Sequence, residues 1–219
     1  MTRADDGYAR PTTPAKLSPM NRQRDALLFR IVLRDVHPQV WRQIWVPARY
    51  SFWDLHVAIQ DAMGWRDYHL HEFELSDGSA DGTVTIGIPD DEWPEDREVL
   101  AGWQTALADY LGLPGTTTMR YRYDFGDDWV HDVTLEAVAR REKGVRYPRC
   151  VAGENACPPE DCGGAHGYAD LLRVLRDPGD PEHASIIEWL PKGWRPDAFD
   201  PDDVIFANPT RRWRYAFGG

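Results

Sequence analysis

Apolar and polar side chains alternate most cleanly in residues 121–136, YRYDFGDDWVHDVTLE. Tyr121 and Tyr123 bracket Arg122. Further on, Trp129, His131, Val133 and Leu135 share one side of an extended chain, with Val130, Asp132, Thr134 and Glu136 on the other. This pattern predicts a hairpin with one buried face. Asp124, Asp127 and Asp128 crowd its connection, where carboxylates accept backbone N–H bonds and Gly126 is free to take a positive φ.

Upstream, LLFRIVLRDV and VWRQIWVP are two β-rich runs separated by His37-Pro38 and ending at Pro47, which predicts a second hairpin. Ser51 then opens a helix. Asp54 stands at the capping-box position, Phe52, Leu55, Ile59 and Met63 fall on one face, and Gly64 stops it. His56 borders that stripe and reads as a histidine hydrogen-bonded at the core edge. Alternation in residues 68–75 places His69, His71, Phe73 and Leu75 on one face. A Gly/Asp-rich turn at 76–82 leads to a short strand at 83–88, followed by the acidic loop PDDEWPEDRE, a solvated insertion. Leu100, Trp103, Leu107, Tyr110 and Leu111 have helical spacing, closed by Gly112 and Pro114.

The last third reads as helical. Leu171, Leu172 and Leu175 mark one helix, while Asp180-Pro181 and Asp200-Pro201 are start signals ahead of Ile186, Ile187 and Leu190 and of Val204, Ile205 and Phe206. Residues 1–21, with Pro11, Pro14 and Pro19 and few large apolar side chains, are expected to be a flexible leader, and 208–219 a loose tail. Between them, 22–207 is expected to form a single α+β domain. It should be a mainly antiparallel sheet with helices on one face, a ββα start reminiscent of β-grasp folds and a helical C-terminal third.

Composition adds partners to exclude. With 219 residues, 42% of them apolar, the chain holds one substantial core, and ten tryptophans mean that aromatics carry much of it. The formal charge of −11 counts against duplex nucleic acid as a partner, because phosphate-backbone binding needs a Lys/Arg surface. The run Arg211-Arg212-Trp213-Arg214 is too short to change that balance. No apolar run is long enough to span a bilayer, and residues 1–20 lack a basic segment followed by an apolar one, so a cytoplasmic protein with no membrane partner is expected. Three cysteines, an odd number, do not make the paired framework of a secreted disulfide protein.

Those cysteines, Cys150, Cys157 and Cys162, lie in YPRCVAGENACPPEDCGGAHGY, a loop dense in Pro and Gly with little side-chain mass to fix its shape. A zinc ion bound by three thiolates would order it, since metal-binding energy can replace a missing core. The gaps are looser than the paired spacing of zinc ribbons, and three small buried thiols are the bland alternative. His131, inward-facing on the predicted hairpin, is the candidate fourth ligand, with His71 and His69 next and His166 close in sequence. Asp161 reads instead as a cap on the following turn.

The order WRQIWVPARYSFWDLHVAIQDAMGW, HLHEFEL, YRYDFGDDWVHDVTLE and CVAGENACPPEDCGGAHGY resembles the plasmid pRiA4b ORF-3-like family, also associated with mobile-element passenger genes. The resemblance implies an α+β domain with a recurrent set here at Asp124, Phe125, Gly126, Asp127, Trp129 and His131, and it carries no reaction. Asp124-Phe125-Gly126 is not the kinase triplet, because no glycine-rich phosphate loop or HRD segment accompanies it; GxSxG and Walker motifs are absent too. The expected function is a non-enzymatic binding or adaptor domain for a protein or small-molecule partner, with a structural zinc held by Cys150, Cys157, Cys162 and His131. The alternative is a metal-dependent hydrolase acting on nucleic acid or a nucleotide, using His69, His71, His131 and Asp127 or Asp128. A redox-sensing thiol cluster is a third reading, and a cysteine nucleophile paired with His131 ranks below it.

Overall fold

The computed structural model describes residues 20–76, 82–89, 98–112 and 118–218. The expected leader falls almost wholly outside these residues, as do most of the 76–82 turn and most of the acidic insertion. Strand β1 (Asp25–Leu33) and strand β2 (Trp41–Pro47) form the expected first hairpin, antiparallel from Ala26 opposite Pro47 to Val32 opposite Trp41. Helix α1 (Phe52–Met63) follows, completing the ββα opening. Ser51 and Asp54 form the capping box, with Asp54 N donating to Ser51 Oγ at 3.2 Å and Ser51 N to Asp54 Oδ2 at 3.0 Å. Gly64, at φ 85°, ends the helix.

Strands β3 (His71–Ser76), β4 (Thr83–Gly87) and β5 (Val99–Ala101), a short helix α2 (Leu107–Tyr110), then β6 (Thr118–Tyr123), β7 (Trp129–Arg140) and β8 (Arg149–Glu154) complete the strand set. Among the described residues they make one eight-stranded mixed sheet in the order β5-β4-β3-β6-β7-β1-β2-β8, with only the β4–β5 pair parallel. Helices α3 (Gly164–Arg176), α4 (His183–Trp189) and α5 (Pro209–Phe217) form the C-terminal third. The whole is a single α+β domain, as expected.

Strand alternation selects the core. Leu27, Phe29, Ile31 and Leu33 of β1 are fully buried, and Leu28, Arg30 and Val32 between them are half-exposed. The same rule buries Arg42, Ile44 and Val46 of β2, Tyr121 and Tyr123 of β6, and Trp129, His131 and Val133 of β7. Helix α1 lays Phe52, Leu55, Ile59 and Met63 on that face, each such side chain stabilising by about 1.5–3 kcal/mol when fully buried. Arg42, 1% exposed, is satisfied by donating to the carbonyls of Ala62, Trp41 and Glu154 at 2.8–3.0 Å, and it stacks 3.6 Å over the Phe199 ring. It ties the end of α1 to β2 and β8.

Four expectations change. The helix predicted around Leu100 to Leu111 is instead strand β5, a turn and the four residues of α2. Residues 99–105 are used for backbone pairing: Gly102 N donates to Gly87 O, while Gly102 O and Thr105 O accept from Trp53 N and Phe52 N, two N–H groups at the start of α1 that have no partner inside the helix. At Asp200-Pro201 only a 3₁₀ turn (Pro201–Asp203) forms, and Val204 to Phe206 are not helical. The segment expected as a loose tail holds α5, capped by Asn208 Oδ1 accepting from Arg211 N and tied to α1 by Arg212 on Asp61 at 2.6 Å. In the central hairpin the left-handed residues are Asp124 (φ 56°) and Asp128 (φ 55°), and Gly126 does not take a positive φ.

Candidate functional site

The β6–β7 turn and the cysteine loop lock together. Asp124 Oδ1 accepts from Gly126 N at 3.0 Å and Asp127 N at 3.3 Å, shaping the turn, while Asp128 pairs with Arg122. Asp127 reaches out of the turn: its Oδ2 accepts from Gly163 N at 3.2 Å. Gly164, at φ 67°, comes so near that a Cβ there would lie 2.4 Å from Asp127 O. Two glycines at the head of α3 are therefore what lets the acidic turn seat.

The Pro-rich part of the loop is ordered by hydrogen bonds. Trp65 Nε1 donates to Pro158 O at 2.9 Å and Trp194 Nε1 to Cys157 O at 3.0 Å. Glu160 accepts from Tyr123 OH at 2.7 Å and from Arg66 N at 3.0 Å. Cys150 lies on β8 opposite Ile44, Cys157 is buried beneath the loop, and Cys162 is half-buried before α3. Burial pushes all three thiols up, Cys162 to about 12, so they stay protonated and are poor nucleophiles.

His131 sits elsewhere in this arrangement, fully buried on β7 between Tyr121 and Trp65, whose rings are 5.2 and 5.4 Å away. Its Nδ1 is 3.4 Å from Tyr121 O, and its Nε2 has no partner among the described residues. Burial pushes its pKa down to about 3, so the ring is neutral. Two groups of three metal-ligating side chains converge among the described residues, His56 with Asp67 and His71, and His69 with Asp124 and Asp161. Cys150, Cys157, Cys162 and His131 do not appear in either.

The first group is a core network. His56, 0% exposed and so deeper than the core edge, has Nδ1 2.8 Å from Tyr121 OH and Nε2 2.7 Å from Asp67 Oδ1. Gln60 also donates to Tyr121 OH at 2.9 Å, and Arg212 of α5 approaches Asp67 to 3.7 Å. The His71 ring lies parallel to that of His56, centroids 3.4 Å apart and planes 6° apart, with Trp53 between the pair and Phe217 of α5. Burial, and then His56, pushes the His71 pKa well down. Parallel rings direct their in-plane lone pairs side by side, and both nitrogens of His56 are engaged, so an ion here requires one ring to turn. The second group reaches the surface only at Asp161: half-buried His69, outside β3 in the approach to it, has Nε2 3.1 Å from exposed Asp161 and 3.5 Å from buried Asp124. His69 and His71 therefore face different environments, and Asp127 and Asp128 belong to the turn rather than to a shared site with them.

Beside the loop opens a cleft of about 920 Å³, walled by the end of α1, the Pro158–Pro159 segment and residues 189–205. Tyr68 (69% exposed), Trp189 (48%) and Ile205 (86%) line it. Asp161 joins it to the His69 group.

Comparison with known proteins places the chain. The family model described as plasmid pRiA4b ORF-3-like protein matches residues 25–203. The chain belongs to this family. A relative, the uncharacterized protein y4hQ of Sinorhizobium fredii (strain NBRC 101917 / NGR234), is 34% identical over 161 residues, 74% of this chain and 78% of that protein. The crystal structure of a protein of unknown function, MM3350 from Methanosarcina mazei Go1, superposes with a TM-score of 0.75 at 40% identity, covering 84% of this chain and 99% of that one. For this member of the pRiA4b ORF-3-like family, function is thus read from the site. Sequence reasoning missed Glu160 as the organiser of the loop, Asp67 and Tyr121 as partners of His56, and the cleft residues Trp189 and Ile205. Glu160 and Asp67 stand in turn segments without periodicity, and no sequence signal tells that Trp189 and Ile205 stay exposed.

Proposed function

We propose that this pRiA4b ORF-3-like protein is a non-enzymatic binding or adaptor domain whose partner, a protein segment or small molecule, seats in the cleft beside the cysteine loop. The observation that carries the reading is the cleft itself: large apolar side chains stay exposed inside a concavity, where solvent contact is unfavourable until a ligand covers them. The histidines with perturbed ionisation, His71 and His131, are buried away from it. Three free cysteines suit a reducing, cytoplasmic setting, and among the described residues no helix is long and apolar enough to cross a membrane.

Peptide display against the folded domain, with a Trp189→Ala/Ile205→Ser double variant as counter-target, tests it. Both side chains are exposed, so the variant should melt with the wild type. Sequences enriched on the wild type and not on the variant are the expected result; identical selections would remove the cleft as the binding site.

A structural zinc on Cys150, Cys157, Cys162 and His131 belongs to the same reading as a separate component, supported by the clustering of the three cysteines in one loop and the unpartnered Nε2 of His131. The binding reading does not depend on it, because Glu160 and two indoles order the loop. Elemental analysis of protein purified without added metal decides it. A second reading, a metal-dependent hydrolase acting on nucleic acid or a nucleotide, has the His69, Asp124 and Asp161 convergence at the cleft edge in its favour. Phosphodiester turnover that needs added divalent metal and is lost in His69→Ala would establish it over the binding reading.

A further inference from the structure

The cleft has a charge as well as a shape. Six carboxylates line it against three guanidinium groups. Several of these are already committed. Asp61 holds Arg212 and Ala207 N, Glu160 holds Tyr123 and Arg66 N, and Arg42 is sealed among backbone carbonyls. Asp197, Asp200 and Asp203, all exposed, have no ion-pair partner among the described residues, and of the three Asp200 also caps its own turn, Oδ1 accepting from Asp202 N at 2.9 Å. Opposing them are only the exposed Arg66 and Arg195, and Asp161 adds a further negative charge at the rim. Trp189, Trp194 and Ile205 give the same cleft an aromatic and aliphatic lining.

We propose, resting on the binding-domain reading, that the cleft takes a cationic peptide segment: Arg or Lys heads meet the carboxylates of Asp197 and Asp203, with the charge of Asp200 between them, and their stems lie along Trp189, Trp194 and Ile205. An aromatic face beside carboxylates suits these side chains because the quadrupole of the ring attracts the cation while the methylene stem covers apolar surface. The floor of the same cleft already contains such a pair, Arg42 over Phe199 at 3.6 Å. The volume exceeds what one amine needs, and four separate stretches of chain line it, which suits an extended segment over a single small cation. Long-range attraction adds to this, since the protein carries −11 overall.

Fluorescence anisotropy on the full chain tests the assignment with three labelled octapeptides: one repeating Arg-Ala-Lys-Ala, one with Glu and Asp in the charged positions, and one with Gln and Ser there. The cationic probe should bind at least about tenfold more tightly than the other two and weaken as salt rises from about 50 to about 300 mM. The Asp197→Asn/Asp203→Asn double variant should lose about tenfold. Trp189→Ala, which leaves the charge unchanged, should also weaken binding. Asp132→Asn/Glu136→Gln, which removes the same charge from the opposite sheet face, should leave affinity unaltered. Equal losses in both double variants would show diffuse attraction to an acidic surface and overturn the proposal, as would spermine displacing the peptide at equal concentration. Preference for the anionic or neutral probe would sink the cationic assignment and leave the binding-domain reading standing. Failure of all three probes, together with no display enrichment, would remove both.

Discussion

Replacing His131 with Phe tests the burial of this ring through the pH dependence of stability. In the unfolded chain an imidazole titrates near 6.5; in the folded protein, burial holds His131 at about 3. The folded state therefore binds fewer protons, and stability is lost as pH falls below about 6.5, with the loss continuing down to the folded value. Between pH 6.5 and pH 4.5 the histidine should cost about 2.3 kcal/mol in all, the slope rising from about half to nearly the full value of about 1.4 kcal/mol per pH unit as the unfolded imidazole becomes protonated. His71, pushed down by burial and by His56, acts with the same sign, so the wild-type acid limb should be steeper than one proton. Phe keeps the ring contacts with Tyr121 and Trp65 and removes the unpartnered Nε2, so at neutral pH the variant should lie within about 1.5 kcal/mol of wild type. Urea titrations followed by tryptophan fluorescence at half-unit pH steps give the difference between the two curves, in which carboxylate contributions common to both cancel. Superimposable curves from pH 6.5 to 4.5 would refute the argument. A variant several kcal/mol weaker at every pH, matched by chelator-treated wild type, would show instead that His131 holds a metal.

The other predictions concern what fixes the site. Arg42→Met strands three carbonyls and the Phe199 face, and urea titration should show a loss of about 3–5 kcal/mol; a loss under about 1 kcal/mol would mean the arginine is not sealed as described. Gly164→Ala must bring Cβ against Asp127 O at a positive φ and should cost over about 2 kcal/mol, while Gly193→Ala, also at positive φ but in open space, should cost about 1 kcal/mol, so equal costs would sever the turn from α3. Glu160→Ala removes the acceptor for Tyr123 OH and Arg66 N, and amide exchange at Ala156 and Cys157 and from Glu160 to Cys162 should speed about tenfold or more. Unchanged exchange there would return the ordering of the loop to another agent.

Much of the fold is legible because local rules and burial agree. The alternation of Trp129, His131 and Val133, the Ser51–Asp54 box and the Gly64 stop all describe what one stretch of chain does by itself. The failures are stretches whose conformation a distant partner decides. Leu100 and Trp103 carry helical spacing, yet the first N–H groups of α1 and the open edge of β4 claim their backbone. Helix α5 had its start written in Asn208-Pro209, but a nine-residue helix rich in arginine is marginal alone. It forms where Asp61 receives Arg212 and where Trp213 and Phe217 meet Trp103 and Trp53.

The candidate site was legible only as a set of unusual residues, because spacing cannot say which unusual residue has a structural job. In DFGDD the structure gives each carboxylate one: Asp124 holds its own turn, Asp127 receives Gly163, and Asp128 pairs with Arg122. Glu160 of the CPPED segment is likewise occupied, between Tyr123 and Arg66. A carboxylate already accepting from backbone N–H, hydroxyl or guanidinium donors has less to offer a ligand. Among the carboxylates lining the cleft, Asp197 and Asp203, on the plainer C-terminal stretch, have no ion-pair partner among the described residues. On the binding reading proposed above, the cysteine loop, held in place by the hairpin, is one wall of the cleft, and the recognition chemistry would come from residues 189–205.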